Sequence, residues 1–175
     1  MKYLIIPGLN NSGPKHWQTL WESKIDCIRL NQANWSEPQL EDWLEVLNKA
    51  IDDCDEDIIL VAHSLGCALV LNWVQRYQSS KIKGALLVAP ADVDLAENTP
   101  DVVRHFSPLP TLKLPFKNIL VASQNDPYMS FKRAHSFALA WGSEFVSVGN
   151  CGHINADSDL GQWDFGLEIL KSLNT

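Results

Sequence analysis

Residues 58–73 read IILVAHSLGCALVLNW. The apolar run Ile58 to Ala62 stops at His63 and Ser64, and the apolar pattern resumes at Leu65. A short unbroken apolar run bounded by polar residues fits a strand covered on both faces. Leu65 to Tyr77 is apolar almost all round and fits a deeply packed helix. A polar side chain buried without a partner costs about 1–3 kcal/mol. The His63-Ser64 interruption is therefore either paired inside the core or set at an edge for use.

Working outward, similar runs occur at Tyr3–Ile6, Ala85–Ala89 and Ile119–Ala122, with weaker strand candidates at Cys27–Leu30 and Glu144–Val148. Helical patterns fall between them. His16 to Ser23 follows Ser12-Gly13-Pro14, a helix-starting sequence. Leu40, Trp43, Leu44, Leu47 and Ile51 recur at three and four residues, one face of a helix. Phe131–Trp141 and Gln162–Leu173 complete the set, with Asp157 and Asp159 expected to initiate the last helix. Alternating strand and helix predict an α/β fold: a three-layer sandwich around a mainly parallel sheet of about six strands. The whole chain, 1–175, reads as one domain. In such sheets the functional site lies beyond the carboxyl ends of the strands.

Composition narrows the partners. A hydrophobic share of 46% and a charged share of 20% are those of a soluble globular chain. The net charge is −7, and Lys81, Lys83, Lys113 and Lys117 are scattered. Nucleic acid and anionic membrane surfaces both demand basic patches, so neither is expected as a partner. No apolar stretch approaches the ~20 residues of a membrane span. The start MKYLIIPGLNNSG reads as a first strand, not a signal peptide, so a cytoplasmic location is expected. Asn10-Asn11-Ser12 fits a glycosylation sequon, which such a location makes irrelevant. Cys27, Cys54, Cys67 and Cys151 have no metal-binding spacing and are expected to be reduced thiols. The reactivity of Cys151, close to His153, stays open.

The strand ends collect chemistry. Ser64 follows Ala62-His63 and precedes Leu65-Gly66, so it sits on a strand-to-helix turn that lifts its oxygen clear of the backbone. Such a turn requires small residues at 62 and 66 and predicts a positive φ at Ser64, costing about 1–3 kcal/mol. A plain helix-capping serine would explain neither Gly66 nor the other strand ends. A serine hydroxyl needs a general base. Of His16, His63, His105, His135 and His153, only His153 follows a strand in a loop able to reach over the sheet edge. His63 adjoins Ser64, yet its side chain is expected to point elsewhere and to serve packing or hydrogen bonding. The base needs an acid to orient it. Asp126, after Ile119–Ala122, is favoured over Asp92 and Asp94, one strand earlier.

An oxyanion needs fixed N–H donors. The backbone of Leu65 is one. The loop after the first strand supplies the second, from Leu9 or alternatively Asn10, with Gly8 allowing close approach. Asn10, Trp17, Trp35, Phe106, Tyr128 and Met129 are the candidates for lining a substrate pocket.

These segments resemble a compact α/β-hydrolase, and more narrowly the small serine hydrolases grouped with retinoblastoma-binding protein nine. The resemblance spans the chain. It rests on Pro7-Gly8, Trp17, His63-Ser64-Leu65-Gly66, Ala122-Ser123-Gln124-Asn125-Asp126-Pro127-Tyr128, Gly152-His153-Ile154-Asn155 and Gly161-Gln162-Trp163. It implies a triad of Ser64, Asp126 and His153 and a sheet lacking the first antiparallel strands of larger relatives. The sequence departs from the wider superfamily at Pro7, where a His is common, and at Ala62, where a Gly is usual. Neither departure removes a reacting group. Larger hydrolases insert a lid between the strands Ala85–Ala89 and Ile119–Ala122. Here the piece FSPLPTLKLPF at 106–116 is too short and proline-rich for a helical cap, so an open site is expected.

The expected activity is hydrolysis of small carboxylic esters, or activated amides, through an acyl-enzyme, with a small-molecule acyl substrate and no metal or cofactor. A peptidase or thioesterase on the same triad is the near alternative. A protein-interaction module on a hydrolase fold is the distant one, and no protein partner is readable from the sequence.

Overall fold

A computed structural model describes residues 1–174. Six strands, β1 (Lys2–Ile6), β2 (Cys27–Arg29), β3 (Ile58–His63), β4 (Ile82–Val88), β5 (Lys117–Ala122) and β6 (Glu144–Ser147), form one sheet in the order β2-β1-β3-β4-β5-β6. Every neighbouring pair is parallel. Among the described residues, four α-helices lie between strands, α1 (Trp17–Trp21), α2 (Leu40–Asp53), α3 (Leu65–Arg76) and α4 (Phe131–Trp141), and α5 (Asp164–Ser172) follows β6.

The apolar strand runs divide by residue parity, as a pleated sheet covered twice requires. Leu4, Ile6, Leu60, Ala62, Leu87 and Leu120 face one layer, packed with α2, α3 and α4. Ile5, Ile59, Val61, Leu86, Val88 and Val121 face the other, packed with α1, α5 and the indoles of Trp17, Trp21 and Trp163. Full burial of each such aliphatic side chain contributes about 1.5–3 kcal/mol. This two-sided cover is why the runs show no polar alternation.

Two helix starts differ from the sequence expectation. His16 caps α1, its side chain accepting the Gln18 N–H, so the helix begins one residue later and spans only Trp17–Trp21. Trp163 has φ 42° and Gly161 φ 55°, so α5 begins at Asp164. Asp157 belongs to a separate 3-10 turn, Ala156–Ser158, closed by Asp159 at φ 50°; neither initiates the last helix.

From β1 the chain moves outward to β2 and then crosses back to β3 on the other side of β1. The reversal opens a crevice between the carboxyl ends of β1 and β3. There the first turn of α3 presses on the end of β1. A Cβ on Gly66 would lie 2.4 Å from the Ile6 carbonyl oxygen and 3.0 Å from that of Pro7. Smallness at 66 is thus demanded by β1 and not by Ala62. The Ala62 methyl lies fully buried in the layer beneath α3, which explains why alanine is accommodated there. The connection from β4 to β5 carries one 3-10 helix, Asp101–Phe106, and no helical cap. Among the described residues, no helix is long and apolar enough to cross a membrane.

Candidate active site

Ser64 follows β3 with φ 55° and ψ −122°, and its N–H donates to the Val88 carbonyl at 3.0 Å. It precedes α3, but its side chain makes no cap. Its Oγ instead lies 2.8 Å from His153 Nε2. His153 Nδ1 lies 3.0 Å from each carboxylate oxygen of Asp126. The acceptor carboxylate places the ring proton on Nδ1, leaving the Nε2 lone pair to face the serine hydroxyl. Both side chains are nearly enclosed, with 8% of His153 and 4% of Asp126 exposed.

The rival acids are occupied elsewhere. Asp92 is fully buried and paired with Arg133. Asp94 accepts from Ser107 Oγ at 2.8 Å, from the Leu109 N–H at 2.9 Å, and from Arg133 at 3.0 Å.

The loops after β5 and β6 are tied together. The Gln124 N–H donates to the Gly149 carbonyl at 2.7 Å. Ser123 Oγ accepts the Cys151 N–H at 2.9 Å, and Asn125 Oδ1 accepts the Gly152 N–H at 2.8 Å. From the other side, His63 Nε2 donates to the His153 carbonyl at 2.9 Å, and the Trp17 indole donates to the Ile154 carbonyl at 2.8 Å. Burial, then the His153 and His16 rings, hold the His63 pKa well below its ordinary value. His63 is therefore a neutral strut. The strutting by Ser123, Asn125 and Trp17 had no sequence signal beyond their places in the motif segments, because its partners are backbone groups far along the chain.

Gly8 lets the loop after β1 close on the serine turn. A Cβ there would sit 2.9 Å from Ser64 Cβ and 3.0 Å from the Leu65 nitrogen. The Asn10 N–H donates to the Trp35 carbonyl at 2.9 Å. That bond occupies the Asn10 amide, while Leu9 and Leu65 both line the space over Ser64.

A cavity of about 430 Å³ opens over Ser64, walled by Leu9, Asn10, His16, Val103, Tyr128 and Asn155 among others. Asn10 and Tyr128 thus take the places expected of them. Trp17, Trp35, Phe106 and Met129 do not. Trp17 is buried against Trp21 and Trp163, and Phe106 and Met129 fill the core on the α3 face. Trp35 packs edge-on against Trp43 with 5.5 Å between ring centroids. Large aromatic area gains more from the dry core than from a wet rim. His16 and Val103 were missed: the first was read as an ordinary helix residue, the second lies in the irregular β4–β5 connection.

Cys151 Sγ donates to the Val148 carbonyl at 3.1 Å and is half-buried. Among the described residues, no group of three or more His, Cys, Asp or Glu side chains is arranged to hold a metal.

A family model described as serine hydrolase matches residues 3–172. The YdeN protein of Bacillus subtilis (strain 168) is 26% identical over 180 residues, spanning 96% of this chain and 93% of YdeN. The solved structure of that gene product aligns with a TM-score of 0.79 at 24% identity, over 98% of this chain and 97% of its own. A YdeN-like protein of Pectobacterium atrosepticum is 35% identical with a TM-score of 0.87, over 98% of this chain and 89% of its own. Est1E of Butyrivibrio proteoclasticus, solved with ferulic acid, shares the fold at 15% identity and a TM-score of 0.72, over 99% of this chain and 90% of its own.

Proposed function

The chain belongs to the serine hydrolase family, and from that premise we propose that it cleaves small carboxylic esters, or activated amides, by acyl transfer through Ser64. The observation that carries the reading is the continuous contact from Ser64 Oγ to His153 Nε2 at 2.8 Å and from His153 Nδ1 to Asp126 at 3.0 Å.

His153 Nε2 takes the hydroxyl proton as Ser64 Oγ attacks the substrate carbonyl carbon. The carbonyl electron pair moves onto oxygen, held by the Leu65 and Leu9 N–H groups. Loss of one such donor typically costs about 2.7–4 kcal/mol in the barrier. His153 then gives its proton to the leaving alcohol or amine, and an acyl-serine remains. Water attacks the acyl-serine with His153 again as base, releasing the acid. Asp126 keeps the ring in the required tautomer and stabilises its cation.

The small cavity and the lack of a helical cap favour compact substrates. The free thiols of Cys27, Cys54, Cys67 and Cys151 favour a reducing, cytoplasmic setting. A panel of 4-nitrophenyl esters of increasing acyl length tests the reading. Turnover that is highest for short acyl groups and absent in Ser64→Ala is expected. Lack of turnover on every ester, or full turnover in the variant, contradicts it.

A further inference from the structure

Proton delivery fixes where a leaving group must lie. His153 Nε2 stands 2.8 Å from Ser64 Oγ and hands its proton to the leaving oxygen. That oxygen must therefore come within hydrogen-bond reach of the same nitrogen. The carbons attached to it then lie beside the His153 ring. Four aromatic rings line the cavity: His16, His63, Tyr128 and His153. The three histidines are 4%, 5% and 8% exposed, whereas Tyr128 is 38% exposed. Among the described residues, Tyr128 is thus the aromatic side chain of the wall with area left for a ligand to cover.

Tyr128 also stands against the proton carrier. Its ring meets the His153 ring edge to face, with 4.5 Å between centroids and 70° between planes. Its N–H donates to Asp126 Oδ1 at 2.9 Å, and its carbonyl accepts the Asp92 N–H at 3.0 Å. The turn that carries the triad acid therefore also fixes the root of the tyrosine. An aromatic side chain with two torsions on a fixed backbone loses little freedom when a ligand covers it. No Lys, Arg, Asp or Glu lines the cavity, so a charged alcohol finds no counter-charge there.

We propose that Tyr128 is a specificity-determining residue that receives the alcohol half of the ester, and that the alcohol preferred is uncharged and aromatic. Aromatic pairs gain beyond area burial through their ring quadrupoles, which a puckered aliphatic ring of equal carbon count lacks. The inference rests on the Ser64 hydrolase reading and narrows its substrate class. Tyr128 moves no proton in this scheme; the alcohol leaves with the proton from His153, as in the steps above.

The test uses two matched ester pairs. Benzyl acetate against cyclohexylmethyl acetate sets a flat ring against a puckered one on the alcohol side. Ethyl phenylacetate against ethyl cyclohexylacetate places the same rings on the acyl side. Tyr128→Phe keeps the ring. Tyr128→Leu removes it, and Tyr128→Met takes its place if that variant does not fold. The benzyl-to-cyclohexylmethyl ratio of kcat/KM is expected to hold in Tyr128→Phe and to fall about two- to tenfold without the ring, the acyl-side ratio staying unchanged. A residue that only packs against His153 lowers all four esters alike, and unchanged ratios overturn the inference. An acyl-side ratio that shifts as far as the alcohol-side one overturns it, as does an equal fall in Tyr128→Phe. A wild type labelled by a fluorophosphonate probe at Ser64 that does not turn over benzyl acetate overturns it too. A wild type whose Ser64 takes no label instead overturns the hydrolase reading beneath it.

Discussion

His63 donates its Nε2–H to the backbone carbonyl of His153 at 2.9 Å, so the histidine beside the nucleophile holds the loop of the distant base. The same loop is held at its next residue by the Trp17 indole. Both struts come from buried side chains, and together they hold the loop that brings His153 Nε2 to Ser64 Oγ.

Replacing His63 with Phe keeps an aromatic ring and removes the strut. A misplacement of about 1 Å in a catalytic group costs on the order of 100-fold in rate. His63→Phe is expected to lower kcat roughly 10- to 100-fold with little change in KM. Steady-state kinetics alongside thermal melting separate this from general unfolding, which lowers the active fraction without selecting kcat per active site.

The two buried carboxylates have separable roles. Asp126→Asn is expected to cut kcat by roughly 10³–10⁴-fold with stability nearly unchanged, because the amide favours the wrong tautomer of His153. Asp92→Asn leaves Arg133 without its fully buried counter-charge. Arg133 keeps Asp94 and is one-third exposed, so this variant is expected to unfold at modestly lower urea while its folded fraction keeps turnover. Urea titration and kinetics on both variants check the assignment; the reverse pattern overturns it.

Gly66→Ala drives a methyl toward the Ile6 carbonyl at 2.4 Å, against backbone that cannot rotate aside. The expected cost exceeds about 2 kcal/mol, and the serine turn moves with it. Gly13→Ala, at a position open within 4 Å, is the control. A chemical-denaturation midpoint that drops for the first and holds for the second is the expected outcome.

Acid is expected to weaken the fold through the histidine pair. His16 and His63 have lowered pKa values in the folded chain, chiefly by burial, against an ordinary value of 6.5. Between those values the unfolded chain binds more protons, so stability is fully present above about pH 6.5 and falls as pH drops. For His16 the loss runs from pH 6.5 to about 4, and amounts to at most about 3 kcal/mol. For His63 it continues lower. Urea midpoints measured across this range should fall less steeply in His63→Phe than in the wild type.

The sheet was readable because two-sided burial leaves continuous apolar runs at β1, β3, β4 and β5, while the partly exposed edge strands β2 and β6 left weaker patterns. Ser64 and Asp126 were readable as candidates because each follows a continuous run, and His153 because it follows the weaker β6 pattern. The cavity wall was less so. Trp17, Phe106 and Met129 looked like pocket residues by type, but their area is used in the core. His16 could not be recognised, since its neutrality arises first from burial, then from Arg29 of β2 and His153 beyond β6. The reason for Gly66 also lay out of reach, because the clash it avoids is with β1, some sixty residues earlier.

The central claim is that Ser64 is the nucleophile of an acyl-transfer site. Treatment with a fluorophosphonate probe followed by peptide mass spectrometry tests it directly. One phosphonyl adduct on Ser64 in the wild type is expected, with none in a folded Ser64→Ala variant and ester turnover down on the order of 10⁶-fold. A folded wild type that takes no label, or one labelled only at another residue, contradicts the account.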